Sequence, residues 1–169
     1  MKLPEKECPA YFNAYLDLVS EDVLSEMEKQ LLSFPAFVSD IPKEKGTYRY
    51  APGKWSIKEV IGHINDTERI MANRALRIAR NDQTPIPSFD EDAYVLATDF
   101  NALSITMLTD DFKAQRRCHL SLLRSLRKEE LIRTGIASGK QVSARALFYF
   151  MVGHLRHHEQ IITERYLGY

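Results

Sequence analysis

The sequence has few cysteines, no long apolar run and no excess of either charge. Its only two cysteines, Cys8 and Cys118, lie far apart and form neither a CxxC motif nor a disulfide framework, so we expect a reducing, cytoplasmic environment. Residues 1–12 lack the apolar core of a signal peptide. No apolar stretch approaches the roughly 18 residues of a membrane-spanning helix. We therefore expect no membrane partner.

The charges balance, because 23 Lys and Arg residues face 23 Asp and Glu residues. A neutral chain has no general attraction to nucleic acid. Arg69, Arg74, Arg77 and Arg80 are spread around one predicted helix, where a solvated face is the simplest interpretation. We expect no nucleic-acid partner. A length of 169 residues suits one compact domain, and we expect a single domain over residues 1–169.

Four long segments carry apolar residues with helical periodicity. Three of them follow a serine that can cap a helix, and Ser56 also has Glu59 three residues later, which completes a capping box. The segments are 23–34, 57–80, 105–126 and 144–166. We expect the first helix to start at 20–22 and to kink at Pro35 or end near Ser33. The fold class predicted is all-α, a four-helix bundle with long loops and a short N-terminal arm or helix.

The connections are long, and nothing in them alternates like a set of strands. Residues 81–103 contain Pro85 and Pro87 and are predicted to hold a short helix around 91–97. Residues 127–142 are predicted to form a polar loop with a turn at 138–139. A connection as long as residues 81–103 is often functional.

The last helix carries the most informative residues. His154 and His158 are four residues apart, which places both imidazoles on one helix face within the apolar stripe. An unpartnered imidazole in a core is costly, and a metal ion would satisfy both rings. The alternative is a pair of core histidines with backbone or carboxylate partners. His157 lies to the side, where a flank contact is favoured over support of a ligand.

The second long helix has two notable polar residues. His63 lies on the flank of its apolar stripe, and Glu68 lies within the stripe, where an apolar residue is expected. Glu68 is the candidate catalytic residue, either orienting a ligating imidazole or acting as a general base. Its alternative is a buried ion pair with an arginine such as Arg145 or Arg165.

Several motifs, taken together, resemble the DinB-like superfamily and its branch of YfiT-like metal-dependent hydrolases. Trp55 to Glu68 matches the pattern W-S-x-x-E-V-x-G-H-x-x-D-x-E, and Gly153 to His158 reads GHLRHH. FDEDAY at 89–94 and ASGKQVSARAL before the last helix are also similar to family members. The resemblance covers nearly the whole chain.

The resemblance implies a four-helix bundle, often dimeric, with a metal between the second and last long helices. The implied ligands are His63, His154 and His158, and the implied metal is divalent, with zinc or nickel as the leading candidates. Some relatives are thiol-dependent transferases or isomerases that use bacillithiol or mycothiol. The predicted partners are therefore a small-molecule substrate, a low-molecular-weight thiol and a second copy of the chain.

The leading hypothesis is a metal-dependent enzyme, either a hydrolase or a thiol-dependent S-transferase. The alternative is a non-catalytic bundle that binds a metal or ligand or serves for dimerisation. A catalytic metal keeps an open coordination position that faces a cavity, whereas a structural site is closed by a fourth protein ligand such as Glu68 or His157. Trp55 is expected to close the end of the bundle or wall the pocket.

Overall fold

The computed structural model describes residues 3–4, 6–20 and 22–168. Its framework is four long helices, which confirms the predicted all-α four-helix bundle. The long helices are α1 (Val23–Ser39), α2 (Ile57–Ala79), α3 (Ile105–Ser125) and α4 (Ala144–Ile161). A π-helical turn, Ile162–Leu167, extends α4. Shorter helical segments are Ala10–Phe12, Asn13–Leu16, Lys43–Lys45, Glu91–Leu96, Phe100–Ala102 and Lys128–Leu131.

Polar side chains fix the starts of all four long helices. Asp22, Ser56, Ser104 and Ser143 each accept hydrogen bonds from backbone amides of the following turn. The capping box of Ser56 and Glu59 forms as predicted. These local interactions explain why the helix starts could be predicted from the sequence, including the first one, whose cap, Asp22, lies within the predicted range of residues 20–22.

The first long helix continues across Pro35, so of the two predicted outcomes the end near Ser33 is wrong, while the kink at Pro35 stays a prediction. Phe34 and Val38 are both buried, at 0% and 1% exposure, and an end at residue 33 would leave them in a loop. A proline inside a helix costs about 3 kcal/mol. Burying each of these two side chains contributes about 1.5–3 kcal/mol, which offsets that loss.

The four helices do not pack in chain order. Helix α2 packs against α3 and α4, and α1 packs against the same two helices. The order around the bundle is therefore α1, α3, α2, α4, and the sequential neighbours α1 and α2 occupy opposite corners. This arrangement brings α2 and α4 side by side along their length.

A β-hairpin precedes α4, where the sequence predicted a polar loop without strands. Strands β1 (Thr134–Ala137) and β2 (Lys140–Ser143) pair antiparallel. The predicted turn at Ser138 and Gly139 is present, and both residues have positive φ, 51° and 71°, as a tight hairpin turn of this hand requires. Strands of four residues are too short to show alternation, which is why the pattern did not predict them.

The N-terminal segment packs against α4, as the predicted arm or short helix. Gly153 makes this contact possible, since a Cβ at that position would lie 2.1 Å from the carbonyl oxygen of Tyr15. Phe12 and Tyr15 both place their rings against Phe150 of α4. The segment thereby forms one wall of the space beside α4.

Two apolar clusters fill the bundle, and a buried polar layer separates them. Along α1, Met27 belongs to one cluster and Phe34 to the other, with Gln30 between them. The same order recurs along α2, where Met71 and Ile64 flank Glu68. No helix in the described part of the chain is long and apolar enough to cross a membrane.

Candidate metal centre

Three histidine side chains from two neighbouring helices converge on one point. The Nε2 atom of His63, from α2, lies 3.0 Å from Nε2 of His154, from α4. The Nε2 atom of His158, one turn later on α4, lies 3.1 Å from Nε2 of His154. Among the described residues, these three form the group whose side chains could hold a metal ion. The non-sequential packing of α2 beside α4 produces this convergence.

Burial keeps all three imidazoles neutral. It lowers the pKa of His63 to about 4. Burial also lowers the pKa values of His154 and His158 well below the usual range of histidine, and the neighbouring histidines add to the effect. Metal ligation requires a neutral imidazole with a free nitrogen lone pair. The site therefore offers ligands in the protonation state that a metal needs.

The spacing of the three nitrogens suits a single metal ion. With Zn–N bonds of about 2.0–2.1 Å and tetrahedral angles, ligand nitrogens lie about 3.3 Å apart. The observed separations from His154 are 3.0 and 3.1 Å. Histidines held as ordinary core residues would turn these atoms toward backbone or carboxylate groups rather than toward one another.

Aromatic rings hold the histidines in place. The Trp55 ring lies 4.7 Å from that of His63, and the Phe150 ring stacks on His154 at 5.4 Å. His157 contacts the Tyr15 ring edge-on at 5.3 Å. The flank contact predicted for His157 is thus present. Trp55 lies in the wall of the pocket, which is one of the two positions predicted for it.

A cavity of about 400 Å³ opens beside the three histidines. Its wall includes Trp55, His157 and the N-terminal residues Tyr11 and Tyr15. The volume falls in the range of small-molecule sites, about 300–1,000 Å³. The point where the imidazoles converge therefore faces a space in which a small molecule fits.

Glu68 lies in the polar layer and faces α3. Its Oε1 atom accepts a hydrogen bond of 2.5 Å from Nη2 of Arg116, and Oε2 accepts one of 3.2 Å from Nε. Nδ1 of His119 lies 3.1 Å from Oε2. Arg116 also donates to Oε1 of Gln30 at 2.7 Å. Burial opposes ionisation of Glu68, but Arg116 and His119 outweigh it and lower the pKa of this carboxyl.

The sequence left a buried ion pair with an arginine as the alternative role for Glu68. Such an ion pair is present, but its arginine is Arg116. The two proposed partners were Arg145 and Arg165, yet Arg145 pairs with Glu7. A signal for Arg116 was present, since it follows Phe112 by four residues and so lies in an apolar stripe. A catalytic role for Glu68 stays a prediction.

Two neighbouring residues of α3 differ in their relation to this polar layer. Cys118 is exposed and takes no part in it. His119 is buried and contacts Glu68, which gives it a structural role.

Comparison with known proteins places this chain in a family. The model of the DinB superfamily matches residues 26–162. A curated protein of Oceanobacillus iheyensis named "Putative metal-dependent hydrolase OB0413" is 31% identical over 65 residues, which are 38% of this chain and 37% of that protein. The match thus spans little more than a third of that relative's length.

A solved structure shares the fold. YfiT from Bacillus subtilis, described as a probable metal-dependent hydrolase with an unusual four-helix bundle topology, superposes with a TM-score of 0.75 at 18% identity. The match covers 100% of this chain and 94% of YfiT. Since the family model covers most of the sequence, this chain belongs to the DinB superfamily.

Proposed function

We propose that this protein is a metal-dependent hydrolase of small molecules, with His63, His154 and His158 as ligands to one divalent ion. The observation that carries the proposal is the convergence of three neutral imidazole nitrogens at the wall of an open cavity. A divalent ion in such a site supplies Lewis-acid chemistry and lowers the pKa of bound water. Imidazole ligands suit zinc and nickel alike.

The number of ligands favours catalysis over a structural site. Structural zinc sites are closed by four protein ligands, whereas catalytic sites keep a position open. Within the described residues the cluster has three members, and the carboxylate of Glu68 is engaged by Arg116 and His119. His157 lies at the cavity wall against Tyr15. An open position facing the cavity is what a substrate requires.

Hydrolysis is the reaction that the names of the relatives suggest. The Oceanobacillus protein is named a "Putative metal-dependent hydrolase", and YfiT is described as "a probable metal-dependent hydrolase". The same arrangement would also serve a thiol-dependent transferase, in which a low-molecular-weight thiol takes the open position. We propose hydrolysis first, and the activity assay below distinguishes the two. Residues 1–169 as one domain, the homodimer and the cytoplasmic location stay predictions.

Elemental analysis of tag-free protein tests the site. We expect one divalent ion per chain in the wild type, and loss of that ion in His63→Ala and in His154→Ala with the helical circular dichroism spectrum retained. His157→Ala is the matched control, because His157 neighbours the cluster on α4 without belonging to it. Full metal content in His154→Ala would refute the ligand assignment.

An activity screen tests the reaction. Metal-loaded protein is incubated with aryl esters and amides, with and without cysteine or glutathione as a thiol. Turnover without thiol that disappears in His154→Ala supports a hydrolase. Turnover that occurs only with thiol, and transfers the group to it, supports the transferase. Metal binding without either activity would support the non-catalytic alternative.

A further inference from the structure

Arg74 is a buried cation at the wall of the metal-centre cavity. Its side chain is 4% exposed, and the residue lines the cavity together with His63. Only one other arginine in the described chain is buried to this degree, Arg116, and it is paired with Glu68. Arg74 forms no ion pair with any described carboxylate. The contrast sets Arg74 apart, because unpaired buried charges are rare and costly.

The hydrogen bonds of Arg74 are also incomplete. Nη2 donates to the carbonyl oxygen of Pro87 at 2.8 Å, and Nη1 reaches only the sulfur of Met71 at 3.9 Å. Nε has no partner. A guanidinium has five N–H donors, so most of its hydrogen-bonding capacity is unused here. Its charge is fixed near the cavity without a counterion from the protein.

Other incomplete hydrogen bonds occur on the same wall. Of the five buried side-chain atoms without a partner in the described chain, three belong to residues that line this cavity. These are Oγ1 of Thr67, Nε of Arg74 and Nδ1 of His158. Native proteins pair nearly all buried polar groups, and exceptions call for an explanation such as a ligand. Residues at this one cavity wall therefore carry most of the unmet hydrogen-bonding capacity in the described part of the chain.

Helix geometry places Arg74 away from the histidines but on the same face. Residues 63, 67, 71 and 74 all line the cavity and follow one face of α2. The Cα atoms of His63 and Arg74 are about 16 Å apart along the helix axis, at 1.5 Å per residue. Side chains on a helix tilt toward its N-terminus, and that of Arg74 reaches back to Met71, in the direction of the histidines. The rings of Phe89 and Phe150 also line the cavity and make part of its wall apolar.

We propose that Arg74 forms an anion subsite that selects small organic carboxylates with an apolar body. The carboxylate pairs with the guanidinium, the body lies against the aromatic wall, and the far end reaches the histidines. A carboxylate complements the planar donor fork of arginine and removes the cost of its unpaired charge. Glu91 also lines the cavity, but it is exposed, so water screens its charge. Binding of the carboxylate at Arg74 does not depend on the proposed function. Only hydrolysis of the bound molecule rests on it.

Calorimetric titration tests the subsite without any assay of activity. The ligands are phenylacetate, 4-phenylbutyrate and 6-phenylhexanoate, each beside its uncharged primary amide. They are titrated into tag-free protein as purified and into chelator-treated protein, because a bound metal could itself attract a carboxylate. In both samples we expect at least one acid to bind about tenfold more tightly than its amide, which is the effect of one charge-assisted contact.

Variants assign the preference to Arg74. Arg74→Gln should bind the acid and the amide equally, whereas Arg74→Lys should retain part of the preference. Arg80→Gln is the matched control, since Arg80 follows the same helix but is exposed and pairs with Glu130. The affinity for the amide should change less than twofold in Arg74→Gln. An equal loss for acid and amide would mean that Arg74 only holds the loop at Pro87, and would overturn the proposal.

The remaining outcomes are also decisive. The absence of saturable binding to wild type, equal binding of acids and amides, or a tenfold preference that survives in Arg74→Gln would each overturn the subsite. Metal content is measured on every sample. A preference that depends on Arg74 in protein that takes up no metal would support the subsite while refuting the proposed hydrolase. Metal uptake without any preference for the acid would overturn the subsite and leave the proposed metal centre supported.

Discussion

Replacing Arg116 with methionine should destabilise the protein more than any surface change. Arg116 is fully buried, donates two hydrogen bonds to Glu68 and one to Gln30, and lies between the two apolar clusters. Arg116→Met keeps most of the apolar volume but removes the charge. The variant leaves the carboxylate of Glu68 buried with His119 as its remaining partner, and it leaves Oε1 of Gln30 without a donor.

Breaking a buried ion pair on one side costs about 3–5 kcal/mol. For a chain of this size, 1 kcal/mol corresponds to about 2–4 °C in Tm, so the expected drop is roughly 6–20 °C. The double variant Arg116→Met/Glu68→Leu removes both charges and should recover most of the loss, because apolar replacements of a buried pair are often neutral. Urea unfolding of the wild type, Arg116→Met, Glu68→Leu and the double variant gives the coupling energy between the two residues.

The pH dependence provides a second measurement. The pKa of Glu68 is lowered in the folded wild type. The ion pair therefore stabilises the protein at pH values above the pKa of an unfolded glutamate, about 4.3. This contribution is lost as the pH falls through the pKa of Glu68 in the folded protein. In Arg116→Met, burial is no longer opposed by the guanidinium, and the pKa of Glu68 rises. The difference in stability between wild type and variant should therefore be largest at neutral pH and shrink on acidification.

The matched control is Arg124→Met on the same helix, because Arg124 is 55% exposed and pairs with Glu28 at the surface. This change should cost less than about 1 kcal/mol. An Arg116→Met variant no less stable than the control, or a double variant no better than Arg116→Met, would refute the reasoning. The double variant also tests Glu68 directly, since full hydrolytic activity without that carboxylate would exclude the predicted proton-handling role.

Two further changes test how the cavity wall is built. Gly153→Ala should destabilise the protein by about 1–3 kcal/mol in urea unfolding, because its Cβ would meet the Tyr15 backbone at 2.1 Å. Gly46→Ala is the control, with its nearest contacts at 3.3 Å, and equal losses would contradict the close packing. Ser138→Asn should raise Tm, because asparagine tolerates the positive φ of 51° and Asn-Gly favours this hairpin turn. Ser138→Val should lower Tm, and a valine variant as stable as the asparagine one would argue against the turn conformation.

Local patterns predicted much of the fold. The three capping serines, the helical periodicity of the long segments and the turn at Ser138 and Gly139 depend on neighbours a few residues away, so they can be read from the chain. The same applies to His154 and His158, whose spacing alone puts them on one face of α4. The place of His63 beside them was expected only through the family resemblance.

Tertiary structure decided the rest, because it depends on which distant segments meet. The order of helices around the bundle, the cavity and the pairing of Arg116 with Glu68 all join residues far apart in sequence. The chain contains many arginines and many carboxylates, and nothing local says which of them share a buried layer. Arg74 is the clearest case: its sequence context suggested a solvated helix face, and only packing showed a buried cation without a counterion.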